Sequence, residues 1–193
     1  MFWIKKGTQD LYNFSEDFLL WVTSQKDTFN ITRRTIQLRP LLQEIYDFFL
    51  EQVQQKGNNL AYHAEEDLTA WSDPHLLITI IRNLVDNANK YTSGGSIVLR
   101  AYEEDGHLHI SVSDTGRGMN PRQTAWFMQQ TSLDHIQSGS QLGHKFVFDL
   151  THRLDGIVSV ESKEGQGTTV RLMFQKQMAG GLSGQNAKES TDE

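Results

Sequence analysis

Asn83, Asn87 and Lys90 recur at spacings of four and three near the middle of the chain. On a helix those spacings line them up in one row. An amide oxygen such as that of Asn87 suits a hard cation, and a lysine ammonium suits phosphate as a point charge. Asparagine is a poor helix-interior residue. The row therefore suits the wall of a pocket, although a solvated helix face has the same pattern. Further along, Asp114-Thr115-Gly116-Arg117-Gly118-Met119 sets a carboxylate before two glycines. The glycines let the backbone turn and approach a ligand closely. A carboxylate only accepts hydrogen bonds, so it suits the exocyclic amine of adenine and repels the carbonyl oxygen of guanine. A plain turn also fits these residues. Gly139-Ser140-Gln141-Leu142-Gly143 leads into a helix whose free amides can hold phosphate. It is not a Walker loop, because the spacing to Lys145 is wrong and no Ser or Thr follows it. Gly165-Gln166-Gly167-Thr168 fits a strand turn.

These residues need elements to hold them. Asp73-Pro74 is a helix start, since Asp caps free amides and Pro fits the first helical position. The helix it opens runs to about Tyr91, with Leu76, Leu77, Ile80, Ile81, Leu84, Val85 and Ala88 on an apolar face beside the polar row. Alternating strands over Ser96–Glu103 and His107–Ser113 flank Asp105-Gly106, a hairpin signal. A loop-rich stretch, Gly116 to Gly143, follows. A helix from about His144 to Asp155, with Gly156 beyond its end, and strands Ile157–Ser162 and Thr168–Phe174 complete this block.

Upstream, Asp10 to about Asn30 has an apolar stripe (Leu11, Phe14, Phe18, Val22) that needs a partner, either its own domain or a second helix. Ile36–Leu38 is a short strand, and Pro40 opens a helix to about Lys56, closed by Gly57. Leu60–Ala64 and Thr69–Trp71 are weaker strands. Helices and antiparallel hairpins in this order suggest an α+β two-layer sandwich.

The composition narrows the function. Lys+Arg number 18 against 24 Asp+Glu, a net −6, which argues against a nucleic-acid binder. The acidity sits in residues 61–175, with nine basic and fourteen acidic side chains. A polyanion bound there needs a local positive field from a cation, Lys90 and helix amides. With no Cys, disulfides, thiolate zinc sites and a Cys nucleophile are excluded. No stretch reaches the roughly 20 apolar residues that span a bilayer.

In order and spacing the motifs are specific. The chain resembles the C-terminal ATP-binding domain of two-component sensor histidine kinases, in the gyrase/chaperone/kinase/mismatch-repair (GHKL) superfamily. Ile81 to Thr92 matches the asparagine box, Asp114 to Met119 the first glycine box, Gly139 to Gly143 the second, and Gly156 to Thr168 the closing pattern. Phe14 to Asn30 resembles the second helix of the dimerisation hairpin. The resemblance implies a Bergerat-type fold over 36–175, a partial dimerisation helix over 1–35 and a disordered tail over 176–193.

It also implies roles. ATP and Mg²⁺ would be the cofactors, with the metal on Asn87. Asn83 and Lys90 would act on the phosphates or metal-bound water. Tyr91 would lie against the nucleotide, and Asp114 would read the adenine amine in a pocket shaped by Gly116, Gly118 and Met119. Thr168 would support Asp114, directly or through water. Residues 120–141 would form a lid, with Gly139, Leu142 and Gly143 as its hinge and phosphate-facing end. The γ-phosphoryl group would pass to a His on a dimerisation helix and on to a receiver-domain Asp of a response regulator. The partners would be a homodimer's own dimerisation helices and that receiver, in the cytoplasm, without nucleic acid or direct membrane contact.

Departures bear on this. Gln141 stands where the family usually has Gly, and His144-Lys145 puts a further cation near the phosphates. Trp126-Phe127 is the candidate for the phenylalanine box that precedes the lid. None of the seven His, at 63, 75, 107, 109, 135, 144 and 152, is followed by an acid. The chain therefore reads as a fragment that begins after the acceptor. The ATP-hydrolysing branch carries a Glu base where Asn83 stands here, which favours a kinase. A degenerate scaffold that dimerises and relays signals is the alternative, and a serine-phosphorylating anti-sigma kinase a weaker one.

Overall fold

The computed structural model describes residues 30–128 and 139–176. The helix expected up to Asn30 and the tail expected beyond Lys176 lie outside them. In chain order the elements are β1 (Arg34–Gln37), α1 (Leu38–Gln55), β2 (Asn59–Ala64), β3 (Thr69–Ser72), α2 (Pro74–Tyr91), β4 (Ser96–Glu104) and β5 (His107–Asp114). Then come α3 (Pro121–Met128), α4 (Gly139–Arg153), β6 (Ile157–Lys163) and β7 (Gly167–Gln175). Five strands form one sheet in the order β2-β4-β5-β7-β6, and β1 and β3 pair as a separate ribbon. The β2–β4 pair is parallel, and the others in the sheet are antiparallel. Helices α1, α2 and α4 cover one sheet face, which gives the expected α+β two-layer arrangement.

Period-two alternation builds the shared core. Val112 stands between Leu99 and Val170, and Ile110 between Ala101 and Leu172. All six are buried, beneath Ile80, Ile81 and Val85 of α2 and Phe146, Val147 and Leu150 of α4. One step further along β5 the same row reaches Asp114, between Ile97 and Thr168. The alternation that packs the core thus carries a carboxylate and a hydroxyl out to the strand ends on the helix-facing side.

Helix ends follow local chemistry, with some shifts from expectation. Asp73 Oδ1 caps α2 by accepting from the N–H groups of His75 and Leu76 at 3.0 and 3.3 Å. Its Oδ2 accepts from Thr32 N–H at 2.9 Å, which fastens the chain before β1 to this helix. Helix α1 opens at Leu38 rather than Pro40, so the strand before it ends at Gln37. Pro40 then sits within the first turn, where a missing N–H costs nothing, and Leu38 N–H reaches Leu68 O at 3.0 Å. At its other end, Gly57 takes a left-handed φ of 74°. Gly57 N–H donates to Gln54 O and Asn58 N–H to Val53 O, a Schellman closure.

The expected loop from Gly116 to Gly143 is corrected in two places: α3 forms inside it, and α4 begins at Gly139, not His144. Asn120 Oδ1 accepts from Gln123 N–H at 3.0 Å, and Gln123 Oε1 accepts from Asn120 N–H at 2.9 Å. With Pro121 at the first helical position, this reciprocal box starts α3. The middle of the expected lid, 129–138, lies outside the described residues. At the end of α4 it is Asp155 that adopts positive φ (59°). Gly156 serves packing instead, since a Cβ there would stand 2.5 Å from the Phe174 ring.

Candidate functional site

A cavity of about 190 Å³ opens between α2, the end of β5, α3 and the start of β7. Asn87, Tyr91, Asp114, Gly118, Met119 and Thr168, all expected site residues, line it. Leu84, Ala88, Val112 and Val170 give it an apolar floor, and Gln123, Trp126 and Phe127 of α3 form a wall. Phe127 is buried against Phe148, with ring centroids 5.5 Å apart, whereas Trp126 is 42% exposed.

The Asp114 end is tightly built. Asp114 Oδ1 accepts from Gly116 N–H at 2.8 Å. Burial pushes its carboxyl above the ordinary value, and the backbone N–H groups of Gly116 and Thr168 pull it partly back. Gly116 and Gly118 are required by space. A Cβ on Gly116 would stand 2.4 Å from Tyr91 O. Gly118 has a φ of 63°, and its Cβ would stand 2.0 Å from Lys163 O. Gly167, at φ 105°, is as confined, with a Cβ position 1.9 Å from Asp114 O.

Of the row on α2, Asn87 lines the cavity, whereas Asn83 and Lys90 lie outside its lining, as do Gly139, Leu142 and Gly143. Asn83 Nδ2 donates to Thr79 O at 2.9 Å, which fixes the amide against its own helix. Gly143 of α4 packs here: a Cβ on it would stand 3.1 Å from Asn83 Oδ1 and 3.8 Å from Asn87 Nδ2. Gly139 and Leu142 lie in the first turn of α4, and the N–H of Gly139 lacks an intrahelical acceptor there. Lys90 is exposed, its ammonium 5.4 Å from the centroid of the Tyr91 ring.

Sequence reasoning missed several positioning residues. The Arg117 guanidinium lies 4.5 Å from the Tyr91 ring centroid and lines the cavity. Its backbone N–H donates to Tyr91 O at 3.2 Å, and its carbonyl accepts from Gly165 N–H at 2.7 Å. Asn58, buried, holds the end of α2: its Nδ2 donates to Asn89 Oδ1 and to Thr92 O, each at 3.0 Å. Nothing local in Gly57-Asn58-Asn59 distinguishes this from a turn asparagine. The cation expected near the phosphates at position 145 is corrected. Lys145 is buried, outside the lining of the cavity, and pairs with Asp149 one turn along α4 at 3.8 Å.

Among the described residues no three His, Asp or Glu side chains cluster as a metal site. A hard cation here would have to rest on an amide oxygen, phosphate oxygens and water. That donor set fits Mg²⁺, which keeps several waters and few protein ligands.

An apolar cavity between a helix wall and a sheet end, with one carboxylate at its base, defines a class of small-molecule site. The chain belongs to the family of histidine kinase-, DNA gyrase B- and HSP90-like ATPases, whose model matches residues 72–178. Its relatives are sensor kinases. It is 32% identical over 149 residues to the adaptive-response sensory kinase SasA of Synechococcus elongatus, covering 74% of this chain and 38% of that protein. It is 30% identical over 189 residues to the sensor histidine kinase RcsC of Escherichia coli, covering 90% and 20%. The chain thus spans about two fifths or less of these relatives. Among solved structures, full-length ShkA in complex with AMPPNP superposes with a TM-score of 0.73 at 25% identity, covering 87% of this chain and 36% of that one. The nucleotide-free catalytic domain of the histidine kinase ThkA shares the fold at a TM-score of 0.65 and 20% identity, covering 75% and 96%. No helix among the described residues is long and apolar enough to cross a membrane.

Proposed function

We propose that this domain binds ATP with Mg²⁺ and passes the γ-phosphoryl group to a histidine on a dimerisation helix, from which it reaches an aspartate of a response-regulator receiver domain. The observation that carries this is the sharing of one cavity by Asn87 on α2 and Asp114 at the end of β5. Asp114 accepts from the 6-amino group of adenine through its carboxylate, and the apolar floor takes the ring. Tyr91 packs along the nucleotide. Gly116, Gly118 and Met119 shape the pocket, and Thr168 supports Asp114. Asn87 would hold Mg²⁺, which offsets phosphate charge when bound. Asn83 and Lys90 orient the phosphates, and the start of α4, with Gly139, Leu142 and Gly143, faces them. Catalysis is then mostly positioning and electrostatics.

The position used for a base by the hydrolysing branch is Asn83 here. An amide tied to Thr79 O cannot take a proton from water, which supports kinase over ATPase. Residues 1–35 would supply the second helix of the dimerisation hairpin and 176–193 a tail, with the relay in the cytoplasm. A second reading, a scaffold without catalysis, draws support from Gln141 in the second glycine box.

Calorimetry of ATP with and without Mg²⁺ decides between them. The wild type is expected to bind more tightly with Mg²⁺. Asn87→Ala should remove that gain, and Asp114→Ala should weaken binding in both conditions. A wild type that binds no ATP would establish the scaffold.

A further inference from the structure

Ser162, near the end of β6, stands one layer behind the cavity. Its hydroxyl accepts from Met119 N–H at 2.8 Å, meets Gly167 O at 3.0 Å and meets Thr168 Oγ1 at 2.8 Å. A serine hydroxyl has one proton and two lone pairs. The Met119 amide can only donate, and the Gly167 carbonyl can only accept. All three contacts are hydrogen bonds under one assignment alone. Ser162 gives its proton to Gly167 O, and Thr168 gives its proton to Ser162. The reverse direction between the hydroxyls would set Ser162 oxygen against Gly167 oxygen with no proton between them.

This assignment reaches the ligand. Thr168 lines the cavity beside Asp114. With its proton spent on Ser162, its oxygen has only lone pairs for the pocket, next to a carboxylate that also only accepts. We infer that Ser162 is a specificity-determining positioning residue: by orienting the Thr168 hydroxyl, it makes the base-reading end of the cavity accept only. Such an end takes a 6-aminopurine, directly or through a water that donates to Thr168. It rejects a 6-oxopurine, whose oxygen would face acceptors. Without Ser162, Thr168 is free to turn its proton into the cavity and meet that oxygen. The inference rests on the reading that a purine lies at Asp114, and it adds the residue that fixes the polarity there.

The test is calorimetric affinity for ADP and IDP with Mg²⁺, which differ at the 6-position and its neighbouring ring nitrogen. The ADP-to-IDP affinity ratio should fall about three- to tenfold in Ser162→Ala, the size of one hydrogen bond. Ser162→Thr, which keeps the hydroxyl, should restore it. Thr168→Val should lower the ratio, and Ser162→Ala added to it should change nothing further. The inference is overturned if Ser162→Ala weakens ADP and IDP equally, leaves the ratio unmoved, or multiplies with Thr168→Val. Asp114→Asn separates the two levels. A collapsed ratio there beside an unmoved one in Ser162→Ala overturns the inference alone. No change in ADP binding by Asp114→Asn overturns the purine placement as well. Should Ser162→Ala fail to fold, Thr168→Val against Ser162→Thr keeps the question open to refutation: equal ratios in that pair would overturn it.

Discussion

The Asp114 end of the cavity and the contact between α2 and α4 beside it are built to different tolerances. At the Asp114 end, Gly116, Gly118 and Gly167 each lie where a single methyl group would strike backbone at 2.4 Å or less. Where α2 meets α4, beside the cavity and outside its lining, Gly143 faces side-chain amides, and a methyl there would stand 3.1 Å away. The first is fixed by main chain against main chain, and the second by side chains that can give. Under the proposed function, the difference would suit the first region to reading an invariant base and the second to phosphates whose number and position change during a reaction.

Substitution should expose that contrast. Gly118→Ala combines a left-handed φ with a backbone clash and is expected to cost about 2–4 kcal/mol in chemical denaturation. A loss under about 1 kcal/mol would mean that the Asp114 end is as compliant as the other region. Asn120→Ala removes one arm of the box that starts α3 and should cost about 1 kcal/mol in the same assay. It should also weaken nucleotide binding, because α3 supplies Trp126 and Phe127. Asp114→Asn tests the electrostatics of the tight end. Burial raises this carboxyl in the folded chain, so the folded state holds its proton more firmly than the unfolded state does. The wild type's stability from this group is then lost as pH rises from the ordinary carboxylate value through the raised one. The stability of Asp114→Asn relative to wild type should increase across that window and level off above it. A flat difference across a pH series of denaturant melts would contradict the raised value. Gly143→Ala should have the smallest effect on folding, within about 1 kcal/mol of wild type, since helix propensity and crowding of Asn83 oppose each other. Its ATP affinity, measured by calorimetry, should fall more than its stability.

Local chemistry made much of this legible. Asp73-Pro74 announced the start of α2 because a cap and a preset φ act within three residues. Asp105-Gly106 announced its hairpin because both residues take positive φ, 52° and 73°. The asparagine row and Asp114 were visible as types at a spacing, and Asn87 and Asp114 do share a cavity. What escaped depends on partners distant in sequence. Leu38 could be seen to begin α1 only once Leu68 was there to accept its N–H. Ser162 reads as an ordinary strand serine until Met119 and Thr168 converge on it. Lys145 reads as a cation beside the phosphates until its helical phase buries it near Asp149. The box over Asn120-Pro121-Arg122-Gln123 is a different case: its signal is local, but it stands amid glycine-rich sequence that favoured a loop.

The parallel pair in the sheet, β2 beside β4, has a consequence for how the chain can be cut. Two parallel neighbours cannot be joined by a tight turn, so β3 and α2 lie on the connection between them. The asparagine row is therefore carried by a segment through which the sheet itself is threaded. New termini opened at Asp105-Gly106 would leave that thread whole, because the antiparallel strands on either side can still find each other. New termini opened between Ala64 and Ser96 would detach one edge of the sheet and one wall of the cavity together. A circular permutant series should map a tolerant hairpin and an intolerant crossover, with folding and nucleotide binding failing at the same cut points.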